Sequence, residues 1–283
     1  MMAQDRLKPL RSIFSSKSGT FGSIIILTLF GTALAVAIFG KSLVPYDPIQ
    51  QDVGPILGAP SMAHLFGTDQ LGRDVFSRVV YASVNDAYVS VVVIGASLVI
   101  GALIGSYAGF RGGKIDDVLM RITDSFFALP SLLLAMAIAV ALGPGVIHMM
   151  YALIVVWWPS YARMFRAEAL RISRLGFVEA SKACGTRTWR ILARHVVPNS
   201  LTTMILYATL DIGTVIIVYS GLSYLGLSVA PPSPDWGEMV AEYQSFMVTA
   251  PWLPIFPGLV IALMVIGFSL FGDGLRDILE STR

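Results

Sequence analysis

Charge is scarce in this sequence. Only 13% of its 283 residues are Asp, Glu, Lys or Arg, which is about half the share that a soluble domain usually carries. Hydrophobic residues make up 55% of the chain, and the mean hydropathy is +0.72. This composition argues against a soluble domain and predicts an integral membrane protein. The formal net charge of +2 is too close to balance to suggest a nucleic-acid partner.

The residues that usually carry metal or enzyme chemistry are also few. The one cysteine, Cys184, excludes an internal disulfide and a multi-cysteine metal site. The three histidines are far apart, and no metalloprotease or serine-hydrolase motif occurs. Gly40-Lys41-Ser42 looks like the end of a phosphate-binding loop, but Ala35 stands where that loop needs its first glycine. We therefore expect no metal or cofactor held by this chain, and nothing in these motifs argues for a membrane enzyme, although their absence does not exclude one.

Long apolar runs are abundant. Five of them exceed the roughly 18 residues that cross a bilayer: residues 22–40, 87–110, 125–162, 196–234 and 245–272. The third run is too long for one span and carries Leu142-Gly143-Pro144-Gly145 at its middle, which predicts two helices and a turn. The fourth becomes rich in Pro and Gly after about residue 222. The sequence therefore predicts an all-α integral membrane protein with six transmembrane helices.

The distribution of Lys and Arg predicts the orientation of these spans. With a cytoplasmic N-terminus, 17 of the 20 basic residues lie inside and 3 outside, so both termini are expected in the cytoplasm. The layout is then a cytoplasmic tail (1–21), a first transmembrane helix (22–41), an external segment (42–86) and a five-helix core (87–283). The first run exceeds the length of a signal-peptide core, so we expect an anchor there and not a cleaved signal.

The spans themselves contain few polar groups. Asp211 is the only ionisable residue that the sequence places clearly within a span. Tyr207, Asp211 and Thr214 share one helix face, and they either line a translocation path or make polar contacts between helices. Gly101, Gly105 and Gly109 form a stripe that favours close helix packing. Three prolines inside spans predict bends: Pro130, Pro159 and Pro257.

The segment 163–198 is the largest predicted cytoplasmic loop and has eight basic residues against two acidic ones. Apolar residues return in it at helical spacing, which predicts two short amphipathic helices separated by Gly185. Pro198 is expected in the first turn of the next span. The loop either lies on anionic lipid or docks into a partner's groove, with Phe177, Val178 and Ala180 as anchors and Glu179 for polar contact.

The spacing within this loop resembles a known motif. Glu179-Ala180-Ser181, followed by Gly185 six residues after the glutamate and Pro198 thirteen residues later, resembles the EAA loop of bacterial ABC import permeases. Ser181 replaces the second alanine of that motif. Two outer segments resemble signatures of the DppC/OppC-like subunits of the dipeptide, oligopeptide and nickel branch: Gly67-Thr68-Asp69-Gln70-Leu71-Gly72-Arg73-Asp74, and Tyr224-Leu225-Gly226-Leu227 with Pro231-Pro232 and Trp236-Gly237.

This resemblance implies the fold of a type I ABC importer permease in a bacterial inner membrane. The implied partners are a second, DppB/OppB-like permease, two DppD/DppF-like ATPases that hold ATP and magnesium, and a solute-binding protein that brings a peptide. Nickel, glutathione and opines are alternative cargoes within the same branch. From other classes, an ion-coupled secondary carrier and a scaffold without transport remain as alternatives.

The resemblance also assigns roles to residues. Residues 176–184 would form a coupling helix that docks on an ATPase, and the whole docking set is Phe177, Val178, Glu179, Ala180, Ser181, Gly185 and Pro198. Outside, Asp69, Arg73, Asp74 and Trp236 would form an outer gate or contact the binding protein. For Asp69, Arg73 and Asp74 we weigh a salt-bridged cap over the path against a surface for the binding protein.

Overall fold

The computed structural model describes residues 17–229 and 231–281, and this part of the chain is helical. Most of the predicted N-terminal tail, residues 1–16, lies outside the described residues. The α-helices are α1 Lys17–Phe39, α2 Val75–Arg111, α3 Gly113–Phe126, α4 Ser131–Leu142, α5 Val146–Ile172, α6 Gly176–Ala183, α7 Thr188–Ile191, α8 Val197–Tyr224, α9 Trp236–Tyr243 and α10 Trp252–Ser281. Short 3₁₀ helices follow α1 and α9, and a π-helical turn, Leu192–Val196, joins α7 to α8.

The helix α2 begins at Val75, earlier than the span predicted from residue 87. The carboxylate of Asp74 caps it, with Oδ2 accepting the backbone N–H of Ser77 at 2.8 Å. The sequence suggests an external position for Arg78 and Asp86 because both are charged. In the folded chain both are 1% exposed; Arg78 donates to Glu242, and Asp86 accepts a bond from the Ser220 hydroxyl.

The third apolar run folds as predicted at its middle and differs at its start. Leu142 ends α4, and Gly143 and Gly145 turn the chain with φ values of +86° and +148° before α5 begins. Before α4, however, the chain breaks near Pro130, and α3 and α4 are bent by 81° relative to each other. Pro159 and Pro257 lie inside α5 and α10, as the sequence predicts.

Several helices could cross a membrane. Within the described residues, four are long and apolar enough, and the bent pair of α3 and α4 makes a fifth if it is one span. The four are Ser18–Leu43, Val75–Arg111, Thr188–Tyr224 and Trp252–Asp277. The chain is therefore a multi-pass membrane protein, whereas the count of six spans and the cytoplasmic termini stay predictions.

The chain divides into two compact units. Of the described residues, one unit comprises 17–91, 139–149, 209–229 and 231–281, and Val75, Ile216, Trp236 and Phe268 belong to its core. The other comprises residues 92–138 and 150–208.

In the second unit the predicted glycine stripe packs α2 against α5. A Cβ at Gly105 would lie 2.0 Å from the carbonyl oxygen of Ala162, and one at Gly101 would lie 2.4 Å from Cβ of Tyr161. A larger residue at either position would force the two helices apart. The prediction that this stripe serves helix packing is confirmed.

Candidate functional site

The predicted coupling helix is α6, and its C-terminal end is closed by a glycine turn. Gly185 has φ +74°, its N–H donates to the Lys182 carbonyl at 3.0 Å, and the Thr186 N–H donates to the Ser181 carbonyl at 3.1 Å. These two bonds form a Schellman motif, which needs a left-handed residue after the helix. The predicted order of helix, glycine turn and second short helix is confirmed.

One side of α6 is attached to its own chain through Val178, which is 0% exposed. It belongs to a cluster with Ala169, Ile172, Ile191 and Val196, and Phe110 and Leu192 pack against that cluster. Because its own protein encloses this side chain, the structure gives Val178 a role in holding α6 in place, and the predicted docking role of the set stays a prediction. Helical spacing shows which residues share a face but not which face the same chain covers.

A cation also holds α6 in place. Nζ of Lys182 lies 4.6 Å from the ring centroid of Phe110, near the end of α2. The same nitrogen donates to the carbonyl oxygen of Ser173 at 3.4 Å, just after α5. Together with the Val178 cluster, these contacts fix α6 to both α2 and α5.

The opposite side of α6 is open. Phe177 is 46% exposed, and Glu179 and Ala180 are also exposed. Within the described part of the chain, the Glu179 carboxylate has no hydrogen bond or ion pair. The Ser181 hydroxyl donates to the Phe177 carbonyl at 2.8 Å, so this substitution of the motif's alanine satisfies its own polar group. A face with an aromatic ring and an unpaired carboxylate suits a protein partner.

Trp189 is a surface residue that the sequence analysis missed as a docking candidate. It lies on α7 and is 60% exposed, with the guanidinium of Arg190 5.4 Å from its ring centroid. The apolar periodicity of the segment 163–198 predicts that Trp189 belongs to the apolar face of the second short helix. The signal that could have identified it is its type, since Trp and Arg are enriched at interface hot spots.

Pro198 is in the first turn of α8, as predicted, and the preceding π-helical turn fits its chemistry. Proline lacks a backbone N–H and cannot continue an ordinary helical ladder. Side chains bond two carbonyls of that turn: Asn199 Nδ2 donates to the His195 carbonyl at 2.5 Å, and Ser200 Oγ donates to the Val196 carbonyl at 2.9 Å. Pro198 therefore has a structural role at this junction.

Part of the basic charge around this loop is paired within the chain. Arg166 holds Asp116 through two bonds of 2.6 Å each, and Arg163 lies 2.6 Å from Asp124. Both pairs join α5 to α3, and the first has the two-point geometry that positions helices well. These two arginines are therefore paired within the protein itself.

The outer motif residues form a buried ion-pair network. Arg73 Nε donates to Asp69 Oδ2 at 2.6 Å, and Arg78 Nη2 donates to Glu242 Oε2 at 3.3 Å. Arg73 also donates to Glu242, and the Tyr243 hydroxyl donates to Asp69 Oδ2 at 3.1 Å. The exposed fractions of Asp69, Arg73 and Arg78 are 0%, 3% and 1%. This outer network ties the segment before α2 to α9.

The electrostatics of the network follow from burial and pairing. Burial lowers the pKa of Arg73, but the charges of Asp69 and Glu242 outweigh it, and the net pKa is raised. Burial raises the pKa of Tyr243, which keeps its hydroxyl protonated as a donor. Two guanidinium groups thus face two carboxylates in nearly dry surroundings.

The other two predicted outer residues are also enclosed. Asp74 is 1% exposed, and its Oδ1 lies 2.9 Å from Nδ1 of His64. Trp236 is 0% exposed, and its Nε1 donates to the Val79 carbonyl at 2.8 Å.

This burial bears on the two roles weighed for the outer residues. The side chains of Asp69, Arg73, Asp74 and Trp236 do not reach the surface of this chain, and whether these residues contact a binding protein stays a prediction. For Asp69 and Arg73 the ion-paired alternative agrees with the structure. Whether they cap a path stays a prediction.

The predicted path residues lie along α8 with different exposures. Tyr207 is 46% exposed, Thr214 is exposed and Asp211 is half-buried. Their roles stay predictions. Asp86 is a further acidic group inside a long apolar helix, where it is 1% exposed and accepts a bond from the Ser220 hydroxyl at 3.4 Å. The sequence alone placed Asp86 in the external segment.

Known proteins are similar to this chain in sequence and in fold. The family described as binding-protein-dependent transport system inner membrane component matches residues 101–283. The chain is 40% identical over 261 residues to the probable D,D-dipeptide transport system permease protein DdpC of Escherichia coli (strain K12), covering 92% of this chain and 87% of the relative. It is 36% identical to the dipeptide transport system permease protein DppC of Alkalihalophilus pseudofirmus, covering 97% and 90%.

A third relative and one solved structure agree. The glutathione transport system permease protein GsiD of Pectobacterium atrosepticum is 38% identical to this chain. The match covers 87% of this chain and 82% of that relative. A chain of the MetNI methionine ABC transporter, in an inward-facing conformation, has a TM-score of 0.56 at 22% identity and covers 73% of this chain and 97% of that one. Because the identity to this structure is low, the likeness shows only the fold. That fold is the one of a type I ABC importer permease. The chain therefore belongs to the family of binding-protein-dependent transport system inner membrane components, and it is an ABC import permease.

Proposed function

We propose that this permease is one of two that enclose a translocation path in a bacterial inner membrane, and that it imports a dipeptide or a similar small solute. Two separate ATPase subunits would hold ATP and magnesium and drive the cycle, and a solute-binding protein would deliver the cargo from outside. The names of the relatives support this cargo class, since they include dipeptide, D,D-dipeptide and glutathione permeases. Nickel and opines are the alternatives in the same branch.

The observation that carries the proposal is the two-sided character of α6. One side of this helix is fixed to α5 by the Val178 cluster and to α2 by Lys182. On its opposite side, Phe177, Glu179 and Ala180 are exposed. A helix that is rigidly attached to its own chain and open on the other side can transmit a displacement imposed by a partner. We expect closure of the ATPase pair to move α6 and, with it, α2 and α5 between inward-open and outward-open states.

The rival function is an ion-coupled secondary carrier. Such carriers bind their coupling ion with acidic or histidine side chains inside the membrane. Within the four described helices that could each cross a membrane, Asp86 is a buried acidic group, and Asp211 and His195 are half-buried. In the bent pair of α3 and α4, the buried Asp116 is already paired with Arg166. These groups are too few to favour this class, and it offers no role for the open face of α6.

Reconstitution in vesicles separates the two functions. We expect no uptake by this polypeptide alone under a proton or sodium gradient. Uptake should need the second permease, both ATPases, the binding protein and ATP on the ATPase side. Gradient-driven uptake by this chain alone would contradict the proposal.

Two variants test the docking role of α6. Gly185→Val strains a backbone at φ +74°, and Glu179→Lys reverses the exposed charge, so both should abolish uptake and ATPase co-purification with insertion retained. Gly31→Val is the control for added bulk, because Gly31 lies on α1 outside the loop, has open space around it and has no positive φ. Asp117→Lys is the control for charge reversal at an exposed acid outside the loop. Normal co-purification of the ATPases with both test variants would refute the docking role.

A further inference from the structure

A cavity of about 490 Å³ opens in the first unit, beside the C-terminal end of α8. The loop after α8, the helix α9 and the turn between α4 and α5 complete its walls. Residues that line it include Pro144, Ser223, Tyr224, Glu238, Ala241 and Glu242. Its volume is within the range of about 300 to 1,000 Å³ that is typical of small-molecule sites.

Most polar groups of this cavity already have partners. Ser223 bonds Asp235, Tyr224 bonds Gln244, and Glu242 bonds Gln70, Arg73 and Arg78. Glu238 differs, since within the described residues its carboxylate has no hydrogen bond or ion pair, and its Oε2 atom is buried. A carboxylate that is partly buried without a partner is costly unless a ligand or a proton neutralises it.

The charges next to Glu238 do not neutralise it. The two cations that act electrostatically on it, Arg73 and Arg78, are bound to Asp69 and Glu242 in the outer network, and this set of four is balanced. Burial, followed by the charge of Glu242 and with a smaller contribution from Asp235, raises the pKa of Glu238 to about 7, although Arg78 and Arg73 act in the opposite direction. The site thus has one negative charge in excess when Glu238 is ionised.

The walls around this carboxylate are mostly apolar, with Pro144, Val229 and Ala241 among them. A fitting ligand therefore has a compact, partly apolar body and one positive charge. Dipeptides and glutathione, the cargoes in the relatives' names, share one group of this kind, a primary ammonium. A metal ion would need several ligand side chains, and no group of three or more His, Cys, Asp or Glu that could hold one occurs in the described ranges.

We propose that this cavity is a cargo subsite in which Glu238 pairs with the primary ammonium group of the transported solute. This inference rests on the proposed import function and adds to it the chemical group that the permease itself recognises. The ammonium group would replace the proton on Glu238, so the pair should form best between about pH 7, where Glu238 ionises, and about pH 8, where an α-ammonium group loses its own proton. The apolar wall would contact the residue that carries the ammonium group.

Chemical labelling of the purified permease complex tests the subsite without ATP or binding protein. A hydrophobic carbodiimide modifies protonated carboxyl groups, and mass spectrometry quantifies the loss of unmodified Glu238 at pH 6.5, so that an amide formed with an added amine also counts as modification. Alanyl-alanine amide, which carries the ammonium group, should slow this modification about tenfold at 10 mM, as a millimolar Kd implies. Its N-acetylated form, which is neutral, should not. Equal protection by both compounds, protection by neither, or protection by nickel chloride alone would overturn the subsite.

A transport measurement with the complete importer provides the second readout. Glu238→Gln should raise the KM for dipeptide uptake about tenfold and leave ATPase co-purification unchanged, and Asp117→Asn is the matched control. An unchanged KM would contradict the subsite even where import itself is established. Absence of ATP-dependent uptake by the unaltered importer would instead contradict the proposed function, and the labelling result would still decide the subsite.

Discussion

The outer network and the coupling helix α6 use charge in opposite ways. In the network, Asp69 and Arg73 are buried and paired, so their charges hold two segments of one chain together. On α6, Glu179 is exposed without a partner, and the buried residue is the apolar Val178. Both regions carry residues of a family-like motif. The comparison shows that a motif residue can serve the fold or face a partner, and that burial distinguishes the two roles.

The largest effect is expected from breaking the network. Asp69→Asn would leave Arg73 and Arg78 with too little negative charge in a buried setting, which should cost about 3 to 5 kcal/mol of stability. Thermal unfolding of the detergent-solubilised permease measures this as a lower Tm. A Tm equal to that of the unaltered chain would show that the network does not support the fold.

Neighbouring residues on α6 should separate stability from docking. Val178→Ala should lower stability by about 2 kcal/mol because it empties part of a buried cluster. Phe177→Ala should leave the Tm nearly unchanged and reduce ATPase co-purification, since it removes an exposed aromatic group. The reverse pattern would contradict the two-sided description of α6.

Glu238 should give the permease a pH-dependent stability. Its pKa is raised to about 7 in the folded chain, so the stabilisation from its protonated form is complete below the unfolded value near 4.5 and is lost as the pH rises through 7. Glu238→Gln should therefore stabilise the permease more at pH 8 than at pH 5.5, and a larger rise in Tm at pH 8 measures this. The difference in the free energy of unfolding should be on the order of 1 kcal/mol, because the group is only partly buried. An equal Tm change at both pH values would contradict the raised pKa.

The smallest effect is expected at an exposed ion pair. Lys41 Nζ lies 2.6 Å from Asp47 Oδ2, and this hydrogen bond is the main cause that lowers the pKa of Asp47. Water screens such a pair, so Asp47→Asn should change stability by less than about 0.5 kcal/mol. A loss as large as that of Asp69→Asn would remove the distinction between buried and exposed charge on which the comparison depends.

The sequence was informative where local chemistry decides the structure. The position of Gly185 predicts a turn because glycine tolerates a left-handed backbone, and the apolar periodicity predicts the helices on either side of it. The outer network could not be predicted in the same way, because Arg73 pairs with Glu242, and Asp69 accepts a bond from Tyr243, about 170 residues later in the chain. A charged residue is predicted to be exposed when its distant partner is unknown. For the same reason the sequence predicts the span to start at residue 87, whereas α2 begins at Val75.

Val178 shows the same limit on a smaller scale. Its spacing identifies an apolar face of α6, but whether that face meets its own chain or a partner depends on how α5 and α7 fold around it. The composition, in contrast, was sufficient for the class of protein. A chain with so little charge could only be stable with most of its helices in an apolar surrounding.

Photo-crosslinking from Cys184 tests most directly whether the open side of α6 meets an ATPase. Cys184 is the only cysteine of the chain, it is exposed, and it directly follows α6, so a maleimide-linked benzophenone attaches there without another substitution. In native membranes that contain the complete importer, we expect this chain to crosslink to an ATPase subunit. Glu179→Lys should reduce the yield of that crosslinked adduct. Crosslinks to lipid alone, with an unchanged pattern in Glu179→Lys, would contradict this account.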